Sequence, residues 1–268
     1  MDCSTLRDFK LQKASNNQAL VLVTGNQAYQ AILARALNNH FVSRVFADRS
    51  GRFGWGAYVH NVDEESYQRI EILLQLFQHH IFIQDDLTET FALTFHQEMS
   101  SDGKFHRTKM GQLVYQAKPY KRRPTTTHHS QAAELASHFV AFIQRHPTYQ
   151  GADVVIPVPS NPDKEFDLPT LLAQHIAKKC QIKDGSGYVQ KIRGTLSMKD
   201  CSTEQEKIDN VRNAFAVQSG VDLKDRRVIL VDDIYHTGFT INEVGTTLFK
   251  AQVKQVLGLV ATKTVRDR

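Results

Sequence analysis

Residues 228–240 constrain the fold more than any other stretch, because a strand, an acidic pair, a loop and a helix start follow one another directly. Four consecutive aliphatic residues, at positions 228–231, follow a charged turn and predict a strand buried on both faces, as in the middle of a parallel sheet. Asp232 and Asp233 are poor strand formers and are predicted to mark its carboxyl end. In an open α/β sheet this edge is where ligands bind.

The helix after this strand is predicted from a capping pattern and from apolar spacing. Thr240 and Glu243 stand three residues apart and predict a capping box. An apolar face at helical spacing follows, formed by Ile241, Val244, Leu248 and Ala251. The loop at 234–239 is therefore expected to direct its backbone N–H groups towards a helix N-terminus, a geometry that binds phosphate.

The loop and the acidic pair together indicate a ligand with two different ends. Gly238 allows a close turn, and the hydroxyls of Thr237 and Thr240 can donate to phosphate oxygens. The two carboxylates would repel a second phosphate, whereas neighbouring sugar hydroxyls suit them. This combination fits a ribose 5-phosphate group. In the alternative interpretation, Asp232 and Asp233 only end a strand and Thr240 only caps a helix.

These 13 residues resemble the phosphoribosyl pyrophosphate (PRPP) motif of the type I phosphoribosyltransferases. The resemblance implies an open parallel-sheet, Rossmann-like α/β fold in which Asp232 and Asp233 lie at the ribose and act in catalysis. His236 stands where the family usually has a small residue. The 5-phosphate loop implied by the resemblance consists of Tyr235, His236, Thr237, Gly238, Phe239 and Thr240.

Residues 110–264 also resemble the ComF-like branch of that family, which is named for DNA-uptake competence. The resemblance rests on the order of four features: the strand end Ile-Pro-Val-Pro at 156–159, the helix that contains Leu171, Arg-Gly-Thr at 193–195, and Asn-Val-Arg-Asn-Ala-Phe at 210–215. The cysteine-rich zinc module and the Arg-Gly-Phe-Asn-Gln segment usual in that branch are absent from the sequence. Residues 164–168 read Lys-Glu-Phe-Asp-Leu instead.

Further site residues are implied by the same resemblance. Ser160, Asn161 and Lys164, in the loop after the strand at 153–158, are candidates for binding pyrophosphate. Arg193 is a candidate catalytic residue which, with Lys207, would close over the site; the alternative is a surface charge. Mg²⁺ is expected to bind through PRPP, and no metal site made by the protein alone is predicted.

The length and the alternation of predicted elements favour two regions. Residues 1–105 are predicted to form an additional α/β region without a recognisable chemical motif, and residues 106–268 to form the phosphoribosyltransferase-like domain. The polar segment at 100–109 is the predicted junction.

Composition limits the other classes of function. The net charge of +5 and pI near 9.0 fit a polyphosphate ligand or a nucleic acid. The basic run at 118–124 would contact either of these or form a solvated loop. The three cysteines are widely spaced and indicate neither a zinc site nor a disulfide framework. No apolar run is long enough to cross a membrane and the first residues are polar, so a cytoplasmic protein is expected.

The sequence leaves three kinds of function open. The first is a PRPP-dependent transferase acting on a nitrogen nucleophile such as a nucleobase. The second is a catalytically weak or inactive regulator on the same fold that senses PRPP or nucleotides, or a DNA-associated module in competence or defence. The third, also implied by the resemblance, is an effector in a bacterial defence or toxin system that attacks nucleotides. A homo-oligomer is compatible with each of them.

Overall fold

The computed structural model describes residues 3–14, 17–37, 40–120, 123–160, 166–196 and 200–265. The strands are β1 Cys3–Ser4, β2 Asp8–Ala14, β3 Gln18–Thr24, β4 Trp55–His60, β5 Ile81–Ile83, β6 Glu89–Phe95, β7 Gln97–Met99, β8 Phe105–Arg107, β9 Val154–Pro157, β10 Lys183–Asp184, β11 Val189–Lys191, β12 Phe215–Val217, β13 Arg227–Tyr235 and β14 Gln255–Lys263. The helices are α1 Ala28–Ala36, α2 Glu64–His79, α3 Lys109–Ala117, α4 Thr126–Arg145, α5 Pro147–Gln150, α6 Leu168–Cys180, α7 Glu204–Val211 and α8 Phe239–Lys250.

A seven-stranded sheet forms the centre of the protein, in the order β1-β5-β6-β14-β13-β9-β10. Five neighbouring strands are mutually parallel, namely β6, β14, β13, β9 and β10. β5 and β1 extend the β6 edge in antiparallel pairing. β13 lies between β9 and β14. The predicted α/β class with a mostly parallel open sheet is confirmed.

Helices cover both faces of this sheet, and successive residues of each central strand enter different cores. In β14, Leu257 and Leu259 join the core formed with α4 and α6, whereas Val256 and Val260 join the core formed with α8. The residues at 228–231 of β13 are fully buried, as the continuous aliphatic run predicts. The carboxyl ends of β9 and β13 are thereby placed side by side at one sheet edge.

The acidic pair does not end β13, contrary to the sequence prediction. The strand continues through Asp232 and Asp233 to Tyr235, because Ile234 and Tyr235 still pair with Thr262 and Lys263 of β14. Ladder pairing with a buried neighbour thus overrides the low strand propensity of aspartate.

The central sheet includes strands from both sides of the predicted boundary at residue 105. β1, β5 and β6 precede that boundary, and β6 pairs with β14. The guanidinium of Arg35, on α1, also donates to the fully buried carboxylate of Glu89, on β6, at 2.9 Å. The assignment of separate roles to residues 1–105 and 106–268 stays a prediction.

A separate antiparallel sheet, β2-β3-β4, is formed entirely from residues before position 61. Among the helices in the described part of the chain, none has both the length and the apolar character needed to cross a membrane.

Candidate functional site: the junction of β13 and α8

The loop between β13 and α8 turns on Gly238. This residue is the N-cap of α8 and has a φ of 81°, in the left-handed region that favours glycine. The predicted capping box of Thr240 and Glu243 is wrong, because α8 begins at Phe239 and Thr240 already lies in its first turn. The Glu243 carboxylate instead accepts a hydrogen bond from the backbone N–H of Asn213 at 2.8 Å.

The first turn of α8 offers backbone donors. The first intrahelical hydrogen bond runs from the N–H of Asn242 to the carbonyl of Gly238, at 3.0 Å. The N–H groups of Phe239, Thr240 and Ile241 precede it and have no partner within the helix, and no side chain among the described residues caps this end. N–H groups without an intrahelical partner and the positive end of the helix dipole favour an anion at this position.

A buried lysine holds the loop from the neighbouring strand. The ammonium of Lys263, at the end of β14, donates to the carbonyls of His236 and Thr264 at 3.1 and 2.7 Å. Lys263 is only 5% exposed, so this positive charge is fixed under the loop.

The acidic pair faces a cation that lies 115 residues earlier in the chain. The ammonium of Lys118, just after α3, is 2.8 Å from Oδ2 of Asp233, and both side chains are mostly buried. Oδ1 of Asp232 accepts a hydrogen bond from the backbone N–H of Asp233 at 2.8 Å. The two carboxylates are therefore in different environments, since one is ion-paired and the other is not bonded to Lys118.

The electrostatic consequences differ for the two sides of this ion pair. Desolvation and the adjacent Asp233 carboxylate raise the pKa of Asp232 well above its usual range. Burial lowers the pKa of Lys118, but the charge of Asp233 and its hydrogen bond outweigh that effect and raise the pKa overall. Lys118 is accordingly a permanent positive charge in the site at neutral pH.

Loop, acidic pair and Lys118 border one cavity of 970 Å³. Its size is at the upper end of the range of about 300–1,000 Å³ typical of ligand sites. The predicted site residues that line it are Ser160, Asp232, Asp233, Tyr235, His236, Thr237, Gly238, Phe239 and Thr240. The structure thus brings the end of β9 and the end of β13 to one hollow.

Of the other predicted site residues, two lie outside the described residues and one does not line the cavity. Asn161 and Lys164 lie outside the described residues. Arg193 is not among the residues that line the cavity; its guanidinium donates to the backbone carbonyls of Asp209 and Arg212 at 3.0 and 2.7 Å. The catalytic role of Arg193 stays a prediction, whereas Lys207 does line the cavity.

Two polar residues of the cavity wall were not predicted as site residues. Lys118 belongs to the basic run that the sequence marks, although nothing local shows its pairing with Asp233. Asp167, the N-cap of α6, lines the cavity, and its Oδ1 is buried without a hydrogen-bond partner in the described part of the chain. Among the described residues, no group of three His, Cys, Asp or Glu side chains is arranged to hold a metal ion.

Replacing Gly238 by alanine is expected to cost more stability than the same change at Gly220. Both residues have positive φ, 81° and 83°, so alanine is strained by roughly 1–2 kcal/mol at either position. A Cβ at residue 238 would also lie 2.1 Å from the Tyr235 hydroxyl oxygen, whereas a Cβ at residue 220 meets no atom within 4 Å. Urea denaturation of both variants measures the difference; equal losses would contradict the described loop.

The raised pKa of Asp232 predicts that this residue destabilises the unliganded protein as pH rises. Between the ordinary value of 3.8 and the raised pKa, the folded state binds more protons than the unfolded state, so the unfolding free energy falls with increasing pH. Asp232→Asn should remove this contribution, so its unfolding free energy should fall less between pH 5 and pH 8 than that of the wild type. Denaturation at pH 5 and pH 8 measures it, with Asp209→Asn, an exposed carboxylate, as the control. Parallel profiles for wild type and Asp232→Asn would be inconsistent with the assignment.

Proteins similar to this chain are found among solved structures and by sequence. A scan of family models finds no match. Among solved structures, the chain is similar to glutamine PRPP amidotransferase from B. subtilis, complexed with ADP and GMP (TM-score 0.39, 15% identity, 91% of this chain and 46% of that one). It is also similar to adenine phosphoribosyltransferase from Leishmania tarentolae (TM-score 0.38, 12% identity, 59% and 88%). Both likenesses are distant.

In sequence, the chain is 28% identical over 109 residues to Competence protein F of Haemophilus influenzae, covering 39% of this chain. The match spans 47% of that relative, or about half its length. This similarity confirms the predicted resemblance to the ComF-like branch, which rests on the order of features between residues 156 and 215.

Proposed function

We propose that the cavity binds PRPP with Mg²⁺ and that the protein transfers the 5-phosphoribosyl group to a nitrogen nucleophile such as a nucleobase, releasing pyrophosphate. The observation that carries the proposal is the sharing of one cavity by the anion-binding start of α8 and the carboxylates of Asp232 and Asp233. The N–H groups that can donate to a phosphate lie next to the carboxylates that can accept from sugar hydroxyls. This arrangement matches the two ends of a ribose 5-phosphate.

Each group has a defined task in this proposal. The N–H groups of the first turn of α8 and the Thr237 and Thr240 hydroxyls bind the 5-phosphate. Asp232 and Asp233 accept hydrogen bonds from the ribose hydroxyls and so fix the sugar ring. Positive charge develops on that ring as the bond to pyrophosphate lengthens, and the nearby carboxylates favour it. Binding at both ends aligns the ring with the acceptor.

The charges of the cavity wall favour a divalent cation as a second ligand. Among the described lining residues, Asp167, Asp232 and Asp233 have carboxyl groups, and Lys118 and Lys207 have ammonium groups. Because the pKa of Asp232 is raised to about 8, the negative and positive charges are about equal in number at neutral pH, and the wall does not by itself neutralise a polyanion. Carboxylate oxygens are ligands that Mg²⁺ accepts alongside substrate phosphates, and the unpartnered Oδ1 of Asp167 fits that use. When bound, Mg²⁺ would neutralise charge on the departing pyrophosphate.

The proposal predicts that Asp232→Asn combined with Asp233→Asn weakens PRPP binding by at least about tenfold. The reason is that hydrogen bonds to charged groups contribute roughly 1.5–3 kcal/mol each. Calorimetric titration of Mg²⁺ and PRPP measures the affinity, and thermal unfolding shows whether the fold is kept. The matched control is Asp184→Asn combined with Asp209→Asn, which changes two exposed carboxylates. Undiminished affinity in the site variant would remove the ribose assignment.

Turnover is tested separately from binding. Wild-type protein, Mg²⁺, PRPP and a panel of nucleobases are incubated, and pyrophosphate release is measured. Release that depends on one base supports transfer and names the acceptor. Binding without release with every base would reject the transferase and support a protein that senses PRPP.

A second candidate function, nucleic-acid binding, is favoured by the distribution of charge. Residues 97–124 contain seven Lys or Arg residues and two Asp or Glu residues, a net charge of +5, which equals that of the whole chain. The remaining residues hold 26 of each kind and are neutral in sum. This basic segment, residues 97–124, includes β7, β8 and α3 and ends at the cavity.

Exposed aromatic side chains accompany these charges. The Arg107 guanidinium lies 4.0 Å from the ring centre of Tyr115, and the Tyr115 and Tyr120 rings are 5.0 Å apart. Tyr120 is 62% exposed and lines the cavity, and Phe105 is 45% exposed. Cations beside exposed aromatic rings suit a single-stranded nucleic acid, because the cations bind phosphates while bases stack on the rings.

This candidate predicts that replacing Lys104, Lys109 and Arg123 by glutamine lowers the affinity for a single-stranded oligonucleotide. The slope of log affinity against log salt concentration should also become shallower, by up to about 2, because each phosphate contact on a single strand contributes about 0.7 to that slope. The matched control neutralises Lys178, Lys179 and Lys183, which are exposed elsewhere. Fluorescence anisotropy at several salt concentrations measures both quantities. Equal losses in the two triple variants would reject a specific nucleic-acid surface.

A further inference from the structure

The 5-phosphate loop lies directly on the ring of Tyr235. This side chain is only 2% exposed, although Tyr235 is the first residue of that loop. An added Cβ on Gly238 would lie 2.1, 2.5 and 2.8 Å from Oη, Cζ and Cε1 of the Tyr235 ring. The backbone of residue 238 therefore has no room to move towards the protein interior, and the ring fixes its height above the sheet.

The Tyr235 ring is itself held by a carboxylate that is 150 residues away in sequence. Asp85, in the connection between β5 and β6, accepts a hydrogen bond from the Tyr235 hydroxyl through Oδ2, at 3.1 Å. Its Oδ1 accepts from the backbone N–H of Leu87 and the hydroxyl of Thr90, at 3.1 and 2.9 Å. Both oxygens of Asp85 are thus engaged, and its orientation is fixed by its own segment.

The segment 85–90 also lies against α8 and β14 at two glycines. A Cβ on Gly245 of α8 would lie 2.1 Å from Cδ2 of Leu87, and a Cβ on Gly258 of β14 would lie 2.6 Å from Oγ1 of Thr90. Such close approach fixes the distance between this segment and the helix whose first turn provides the anion site. The position of Asp85 relative to the loop is therefore set by packing on two elements.

The protonation states suit this contact. Desolvation raises the pKa of Asp85 to about 6, so the carboxylate is still charged at neutral pH. Desolvation and the charge of Asp85 raise the pKa of Tyr235, so its hydroxyl stays protonated and donates. A neutral donor and a charged acceptor form a stronger hydrogen bond than two neutral groups.

We propose that Asp85 is a positioning residue for the 5-phosphate loop: by holding the Tyr235 ring beneath Gly238, it keeps residues 236–240 in the conformation that binds phosphate. The inference rests on the proposed PRPP site and extends it to residues outside the predicted phosphoribosyltransferase-like domain. Asp85 acts only through Tyr235 and does not contact the ligand.

The test compares PRPP affinity, in the presence of Mg²⁺, among variants of full-length protein. Asp85→Ala and Tyr235→Phe should each weaken binding by about tenfold, since each removes a hydrogen bond to a charged group. The double variant should bind no more weakly than Tyr235→Phe alone, because Tyr235→Phe already removes the contact with Asp85. Asp85→Asn keeps a hydrogen-bonding partner for Tyr235 and should retain most of the affinity. Asp86→Ala, the exposed neighbouring carboxylate, is the control and should bind as wild type.

Thermal unfolding of each variant accompanies the titrations. If Asp85→Ala does not fold, the comparison uses Tyr235→Phe and the double variant Tyr235→Phe with Asp85→Asn instead. Weaker PRPP binding by Tyr235→Phe, with no further loss of affinity in this double variant, supports the proposal. Wild-type affinity in Tyr235→Phe, or losses that add in a double variant, would overturn the positioning role while leaving the PRPP site intact. Failure of the wild-type protein itself to bind PRPP would instead reject the proposed function, and the inference with it.

Discussion

The burial of β13 between two parallel neighbours is the constraint on which the site depends. β9 and β14 pair with both of its edges and two cores cover its faces, so the strand has no freedom to shift in register. Asp232, Asp233 and the start of α8 follow from it within a few residues and inherit that rigidity. Groups on such a rigid scaffold lose little conformational entropy when a ligand binds, so less of the binding free energy is lost in ordering them.

The site is electrostatically costly when it is empty. Desolvation and a like charge raise the pKa of Asp232, and Lys118 is buried beside Asp233 at 2.8 Å. Breaking a buried ion pair by removing one partner is strongly destabilising, because it leaves the other charge unpaired. A buried carboxyl group such as Asp232, whose ionisation opposes stability, is typical of residues in binding or catalytic sites.

Local sequence predicted what depends on neighbours in the chain. The buried run at 228–231 and the glycine turn at 238 could each be predicted from adjacent residues. The end of β13 was misplaced because pairing with β14 decides it. The Thr240 cap was misplaced because α8 begins at Phe239, two residues before the start that such a cap implies.

Contacts between distant residues could not be predicted in this way. Lys118 and Asp233 are 115 residues apart, and Asp85 and Tyr235 are 150 residues apart. In each pair, the residues around one partner give no indication of the other. Strand order brings Asp85 and Tyr235 together: β6 lies beside β14, and β14 beside β13, so the segment just before β6 reaches the loop after β13. The local motif could be recognised from sequence alone, whereas the distant residues that contact it are identified only by the fold.

A crystal structure of the protein with ribose 5-phosphate bound tests the central claim most directly. The phosphate is predicted to lie within hydrogen-bonding distance of the backbone N–H groups at the start of α8, with the ribose hydroxyls on Asp232 and Asp233. A sugar phosphate bound elsewhere, or bound in the cavity with its hydroxyls away from both carboxylates, would contradict the account.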